Sequence, residues 1–345
     1  MKSWNILFTG PGKCEFAQED LPEMADDQIL CRSDITYISI GTESHCYNAT
    51  FDKGSHWDNW VKYPFHPGYS NVAIVEKVGK DVTQFKPGDR VRSGWHHRQY
   101  FLAREGDLVI VPDDVDSASA AMVPLAGVSQ RCVRECEIKM GDTVAIIGQG
   151  PVGQFATQFA RSCGAFEIIA IDPVQSRAEI SKLSGADYVL SCFAADALEE
   201  VEKITDGKLV DIVIDTTGHP AALAQAALLV RPSGKIAVVG DVANPSQQGV
   251  GNALVKGARI IGSRGTAHIP DDTPFQQAVP GGCFPQLMSW THAFTIKCLQ
   301  KKKLDFTHLL SHTVSPADAP KVYADLQANR GQYMGVVFDW NLLDK

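Results

Sequence analysis

The sequence predicts an α/β fold: a doubly wound parallel sheet of six strands joined to a second, barrel-like β unit. Three observations carry this expectation. The run VAIIGQGPVGQFATQFA, residues 144–160, passes from an apolar strand through Gly148, Gly150 and Gly153 into a helix. From about residue 122 onward, apolar strands alternate with helical stretches. Before residue 120, short strands are punctuated by Pro and Gly instead. A chain of 345 residues is also too long for one ordinary core, so two domains are expected.

The glycine run is a dinucleotide fingerprint because its context is right, not because it holds glycines. Gly148 permits the tight turn. Gly150 lets backbone approach a pyrophosphate, whose charge suits the free N–H groups where Pro151 and Val152 open the helix. Gly153 lets helix and strand pack closely. Nineteen residues beyond Gly153, the strand EIIAID ends on Asp172. A carboxylate there accepts ribose hydroxyls and repels a 2′-phosphate, so NAD is the expected cofactor. A glycine-rich turn without a ligand is the bland alternative.

The other elements follow in order. In the first 120 residues, QILCRSDITYISIG and SNVAIVEKVG read as strands, then a turn at Lys86-Pro87-Gly88-Asp89, then RVRSG, HHRQYFLA and DLVIVPDD. The stretch MVPLAGVSQRCVRECEI is helical and leads into strand 144–147. Helix 152–163 precedes strand 167–172, and a helix near 175–184 precedes strand 188–191. ALEEVEKIT precedes strand 209–218, AALAQAALLV precedes strand 234–241, and a sixth strand lies at 258–265. A Pro/Gly-rich loop (IPDDTPFQQAVPGGCFP) then leads to a helix near 286–302, and the chain closes with a helix and a strand. The expected domains are 1–122, 123–268 and a return to the first unit over 269–345.

Composition excludes several classes. A net charge of −8 argues against nucleic acid or an anionic membrane as the main partner. No early segment is apolar enough for a signal peptide or membrane span, and the nine cysteines are irregularly spaced, which fits reduced thiols in the cytoplasm.

Beyond the fingerprint, Gly41-Thr42-Glu43, Pro67-Gly68, VEKVGKDVTQFKPGDRV, Pro124-Leu125-Ala126 and SHTVSPADAPKVY together resemble the medium-chain dehydrogenase/reductase superfamily, home of the zinc alcohol dehydrogenases. The resemblance runs nearly end to end. It implies a GroES-like catalytic domain built from both ends of the chain, an inserted Rossmann domain, and a homodimer. It departs at the metal: Ile40, Tyr69 and Gly127 stand where zinc members carry Cys, His and Cys, and the structural-zinc lobe is missing. Ile and Gly offer no ligand atom, so no metal is expected. Shorter motifs, YPFHPGY and the closing FDW among them, resemble the branch of bacteriochlorophyllide hydroxyethyl dehydrogenase and glycoside 3-dehydrogenases.

The resemblance implies a zinc-independent, NAD-dependent oxidation of a secondary alcohol (a sugar, polyol or glycoside-like compound) to a ketone. Such chemistry needs a group to take the alcohol proton. Thr42 and His45 occupy the family's relay positions, and Tyr69 stands in place of a zinc ligand as a candidate acid/base. His96 and His97 are either substrate contacts or a surface-loop pair; His96 is the candidate. Glu43 is the family's acid beside the relay. His56, Trp57 and Trp60 lie in an insert that either stacks on a sugar ring or packs on its own domain. On the cofactor side, Arg177, Thr217, Gly240 and Arg264 join the glycines and Asp172. Two alternatives stand beside this reading: an enone or quinone reductase, and a nucleotide binder without catalysis.

Overall fold

The computed structural model describes residues 1–240, 250–263 and 288–344. Arg264, Asp241, Gly265, Cys283 and the Pro/Gly-rich loop 269–285 lie outside the described residues. The chain divides into two compact units, Met1–Leu125 with Ile296–Lys345, and Ala126–Thr295.

In the second unit, six parallel strands lie in the order Tyr188–Leu190, Glu167–Ile171, Thr143–Ile147, Val210–Asp215, Val230–Val238, Arg259–Gly262. Numbered within the unit this is 3-2-1-4-5-6, the doubly wound dinucleotide-binding order. Sheets covered on both faces need strands that are apolar throughout. Ile169, Ile171, Val213 and Ile236 accordingly sit in one buried cluster with helix residues Val201, Leu223 and Ala226. The order in which successive strands are added reverses between the parallel neighbours Thr143–Ile147 and Val210–Asp215, and the carboxyl ends of both strands lie at that switch. At this point Gly148 turns the chain with φ +88°. Helix Pro151–Ser162 follows, with Gly150 as N-cap and Pro151 in its first turn.

The first unit holds a hairpin, Lys2–Gly10 with Lys13–Asp20, and a seven-stranded sheet centred on Ile29–Tyr37. Strands from both ends of the chain share this sheet, because Gly335–Asp339 pairs antiparallel with Ile29–Tyr37. The barrel-like core of Ile29, Cys31, Ala73, Val75, Val91 and Phe101 lies on one face of the sheet.

Two helices interrupt the region read from sequence as strands and turns: Ile40–Asn48 and His56–Trp60. Gly, Thr, Ser and Asn give Ile40–Asn48 weak helical propensity. Tertiary burial overrides it: Ile40, Cys46 and Tyr47 pack with Trp57, Tyr323 and Phe338. His56–Trp60 is capped by the Ser55 hydroxyl, which accepts from Asp58 N–H at 3.3 Å. The helix expected near 175–184 stops at Ile180. Among the described residues no helix is long and apolar enough to cross a membrane.

The glycine loop sets a test of packing. A Cβ on Gly153 would lie 1.9 Å from the Gly148 carbonyl oxygen, whereas one on Gly150 meets nothing within 4 Å. Gly153→Ala is therefore expected to cost about 2 kcal/mol or more in urea unfolding, and Gly150→Ala only a few tenths. Equal losses in the two variants would contradict this picture of the loop.

Candidate functional site

In the first unit the candidate site is built around Glu43, which is only 2% exposed. Helix Ile40–Asn48 carries it inward. Its Oε1 accepts the Ser39 N–H at 2.7 Å. Its Oε2 accepts Tyr323 Oη at 2.5 Å and lies 3.1 Å from His97 Nε2. His97 Nδ1 lies 2.8 Å from Thr36 Oγ1, which in turn accepts the Trp340 indole N–H at 3.0 Å. One donor order satisfies every member: Trp340 to Thr36, Thr36 to His97 Nδ1, and His97 Nε2–H to the carboxylate. A buried carboxylate needs such donors, since desolvation without them costs several kcal/mol. Tyr323 titrates well above the usual phenol range, first through burial and then through the Glu43 charge.

A chain of hydroxyls lies beside this carboxylate. Tyr69 donates to Ser39 Oγ at 2.7 Å, and Ser39 donates to Thr42 Oγ1 at 3.2 Å. Burial pushes the Tyr69 phenol up to about 12, opposed by the Ser39 and Thr42 hydroxyls and reinforced by the Glu43 charge. Tyr69 thus holds its proton at neutral pH and acts as a donor. A neighbouring cation is the influence that lowers such a phenol.

The other sequence candidates are placed as follows. His45 lies on the Thr42 helix, with Nδ1 3.1 Å from Thr50 Oγ1 and its ring 5.4 Å from that of Trp57. His96 is half-buried, with Nδ1 3.0 Å from the Gly68 carbonyl, directly before Tyr69. Burial holds His96 below the ordinary imidazole value, with His66, His97 and Arg98 nearby adding to the effect. His97 is 1% exposed, so it belongs to the Glu43 network and not to a surface loop. Trp57 is buried in the insert, whereas Trp60 is 50% exposed.

Sequence reasoning missed Ser39, Thr36, Tyr323 and Trp340. Tyr323 did leave a signal. It shares a helical face with Ala319, Val322 and Leu326, and a phenol on an apolar face must find a partner for its hydroxyl.

The residues where the family holds catalytic zinc do not fit that metal. Ile40 packs in the apolar cluster, and Gly127 has no side chain. Tyr69 spends its proton on Ser39. Among the described residues no three His, Cys, Asp or Glu side chains gather as metal ligands. Zinc needs several converging N, S or O donors, and these positions do not supply them.

The second unit does fit a dinucleotide. Among the described residues no atom lies within 4 Å of where a Gly150 Cβ would stand, which suits close approach by a pyrophosphate. Asp172 is 5% exposed and accepts backbone N–H groups of Gln149 at 2.7 Å and Val174 at 2.8 Å. A carboxylate has about four acceptor directions, so capacity is left for ribose hydroxyls. Arg177 lies in reach of the Asp172 charge; burial lowers its pKa and Asp172 raises it. Thr217 donates its hydroxyl to Asp215 Oδ1 at 2.7 Å. Gly240 packs so closely that a Cβ would lie 2.1 Å from the Gly218 nitrogen.

Residues 151–280 match the zinc-binding dehydrogenase family, and residues 29–113 match the alcohol dehydrogenase GroES-like domain. The sorbitol dehydrogenase of Bacillus subtilis (strain 168) is 30% identical over 252 residues, covering 64% of this chain and 70% of that protein. The chain belongs to the medium-chain, zinc-type alcohol dehydrogenase superfamily. Like its relatives, this dehydrogenase is an NAD(P)-dependent oxidoreductase acting on CH–OH groups. Its fold recurs in a short chain alcohol dehydrogenase from Escherichia coli CFT073 complexed with NADH, with a TM-score of 0.79 and 18% identity over 98% of this chain and 99% of that one. A zinc-binding dehydrogenase candidate from Sinorhizobium meliloti 1021, bound to NADP, has the same TM-score of 0.79 and 18% identity, again over 98% of this chain and 99% of that one.

Two outcomes follow for this dehydrogenase. Tyr323→Phe removes a donor to a buried carboxylate and is expected to cost about 1–3 kcal/mol in chemical unfolding; a loss below about 0.5 kcal/mol would show that the bond carries little. Asp215 is fully buried, its Oδ2 has no hydrogen-bond partner among the described residues, and burial raises its pKa despite the Thr217 bonds. A raised carboxyl pKa means that the folded state favours the protonated acid, so stability falls as pH rises above the unfolded value of about 3.9. Asp215→Asn is expected to raise stability at pH 7 and to lose that advantage as pH falls toward about 4. A gain independent of pH would rule out the charge as its cause.

Proposed function

We propose that the dehydrogenase oxidises a secondary alcohol with NAD and without a catalytic zinc, using Tyr69 as the acid/base group and Thr42, His45 and His96 around it. The observation that carries this reading is the hydroxyl chain from Tyr69, which stands in place of a zinc ligand, through Ser39 to Thr42. When bound, the nicotinamide ring accepts hydride from the carbinol carbon. The protein's part is to hold the alcohol oxygen and carry off its proton. Tyr69 supplies a phenol for that oxygen, and a cationic ring nearby would bring its pKa down toward the working range. Asp172 supports NAD over NADP, because a 2′-phosphate would meet a buried carboxylate already fixed by two backbone N–H groups.

A sugar, polyol or glycoside-like substrate is part of the same proposal. Exposed Trp60 offers an apolar ring face, and the B. subtilis relative is a sorbitol dehydrogenase. Likeness to bacteriochlorophyllide hydroxyethyl dehydrogenase and glycoside 3-dehydrogenases points to ring-bearing secondary alcohols as well. The homodimer implied by the family completes the proposal, along with Gly148, Gly150, Pro151, Val152, Gly153, Arg177, Thr217 and Gly240 as the cofactor set and a cytoplasmic location.

In fluorescence titrations purified protein should bind NADH at least about tenfold more tightly than NADPH. It should also reduce NAD with polyols or glycosides at a rate unchanged by chelators, and lose roughly 100-fold or more in kcat as Tyr69→Phe. One tightly held zinc per chain, removed by chelation together with activity, would overturn the zinc-independent reading. Full turnover in Tyr69→Phe would overturn the assignment of Tyr69.

A further inference from the structure

We infer that Ser39 is the positioning residue that couples Tyr69 to Thr42, so that the alcohol proton leaves along a three-hydroxyl chain. The inference rests on the proposed role of Tyr69 and deepens it. Ser39 is the N-cap of helix Ile40–Asn48, the place where a serine hydroxyl ordinarily accepts a helix N–H. Here it makes no such capping bond. Instead Ser39 Oγ accepts from Tyr69 Oη at 2.7 Å and donates to Thr42 Oγ1 at 3.2 Å. Its hydroxyl therefore both receives and passes a proton, and the helix end forgoes the usual cap to keep that arrangement.

The residue is also held from its backbone side. Glu43 Oε1 accepts the Ser39 N–H at 2.7 Å, and Glu43 is itself fixed by Tyr323 and His97. Ser39 is 3% exposed, whereas Tyr69 and Thr42 are each partly exposed as residues, so substrate is placed at the Tyr69 end and water at the Thr42 end. In the forward reaction, the alcohol hydroxyl gives its proton to Tyr69 Oη as Tyr69 gives its own to Ser39 Oγ. Ser39 passes its proton to Thr42 Oγ1, and Thr42 releases one to water. The C–H bonding pair departs as the hydride taken up by the cofactor, so the products are a ketone, the reduced dinucleotide and one solvated proton.

The test compares Ser39→Ala, Ser39→Thr, Tyr69→Phe and the Ser39→Ala/Tyr69→Phe pair in the full-length protein. Ser39→Ala should still fold cooperatively, with a lowered unfolding midpoint because the Tyr69 hydroxyl loses its acceptor. Its kcat should fall roughly tenfold or more with KM within about twofold, and Ser39→Thr should restore most of the loss. The double variant should be no slower than Tyr69→Phe alone, because one chain broken twice is still one broken chain. A second readout needs neither cofactor nor turnover. In protein carrying ¹³Cζ-tyrosine, the Tyr69 resonance (assigned by its absence in Tyr69→Phe) should move in Ser39→Ala. An unmoved resonance, or losses that multiply in the double variant, would overturn the role of Ser39. Wild-type turnover in Ser39→Ala beside a crippled Tyr69→Phe would also overturn it while leaving the Tyr69 assignment standing. Full activity in Tyr69→Phe would instead remove the reading on which it rests.

Discussion

A carboxylate shut away from water must collect its hydrogen bonds from the protein, and Glu43 does so from three separate segments. Ser39 reaches it from the same helix end, His97 from the loop after strand Arg90–Ser93, and Tyr323 from helix Ala319–Ala328 near the other end of the chain. Removing one partner from such a set strands the others, so the network enforces one arrangement more firmly than its net energy suggests. The sheet repeats the tie, since Gly335–Asp339 pairs with Ile29–Tyr37. The two ends of the chain are therefore joined by backbone hydrogen bonds and by a buried charge. The hydroxyl chain is anchored on that joint, because the Glu43 oxygen that fixes the Ser39 backbone also fixes where its hydroxyl points.

The nucleotide unit is organised by a different constraint: backbone packed closer than any side chain allows. The Gly148 carbonyl abuts Gly153, and the end of strand Val230–Val238 abuts Gly218 through Gly240. Thr216 Oγ1 ties the ends together by donating to the Gly148 carbonyl at 2.9 Å. These contacts leave the space over Gly150 open, with helix N–H groups at the carboxyl ends of the strands where ligands of such sheets bind. Asp172 helps to shape the loop, since it accepts the Gln149 N–H.

Much of this was legible in the sequence, for reasons that differ by element. Strands such as Thr143–Ile147 and Glu167–Ile171 are buried on both faces and read as unbroken apolar runs between polar turns. Gly148 and Gly153 were legible because each answers a steric demand that only glycine meets. Helix Ile40–Asn48 was not, because its own residues disfavour it and it packs on Trp57 and on Tyr323 and Phe338, the last two distant in sequence. The Glu43 network was hidden for the same reason. Tyr323 and Glu43 are 280 positions apart, and no spacing rule brings them together. Tyr69 was visible only as a departure from a pattern; its partner Ser39 looked like an ordinary helix cap, and its diversion to Tyr69 and Thr42 emerges only in three dimensions.

That departure and the network explain one another. A glutamate at this place in the fold carries a charge that something must balance. In this dehydrogenase its two oxygens take the Ser39 N–H, the Tyr323 hydroxyl and the His97 ring, leaving room for about one further donor. A carboxylate so supplied is held by the protein alone. The groups beside it are then hydroxyls, which move protons along hydrogen bonds without changing charge. Tyr69 donates to Ser39 and Ser39 to Thr42, so the groups beside this carboxylate form one continuous line of hydroxyls.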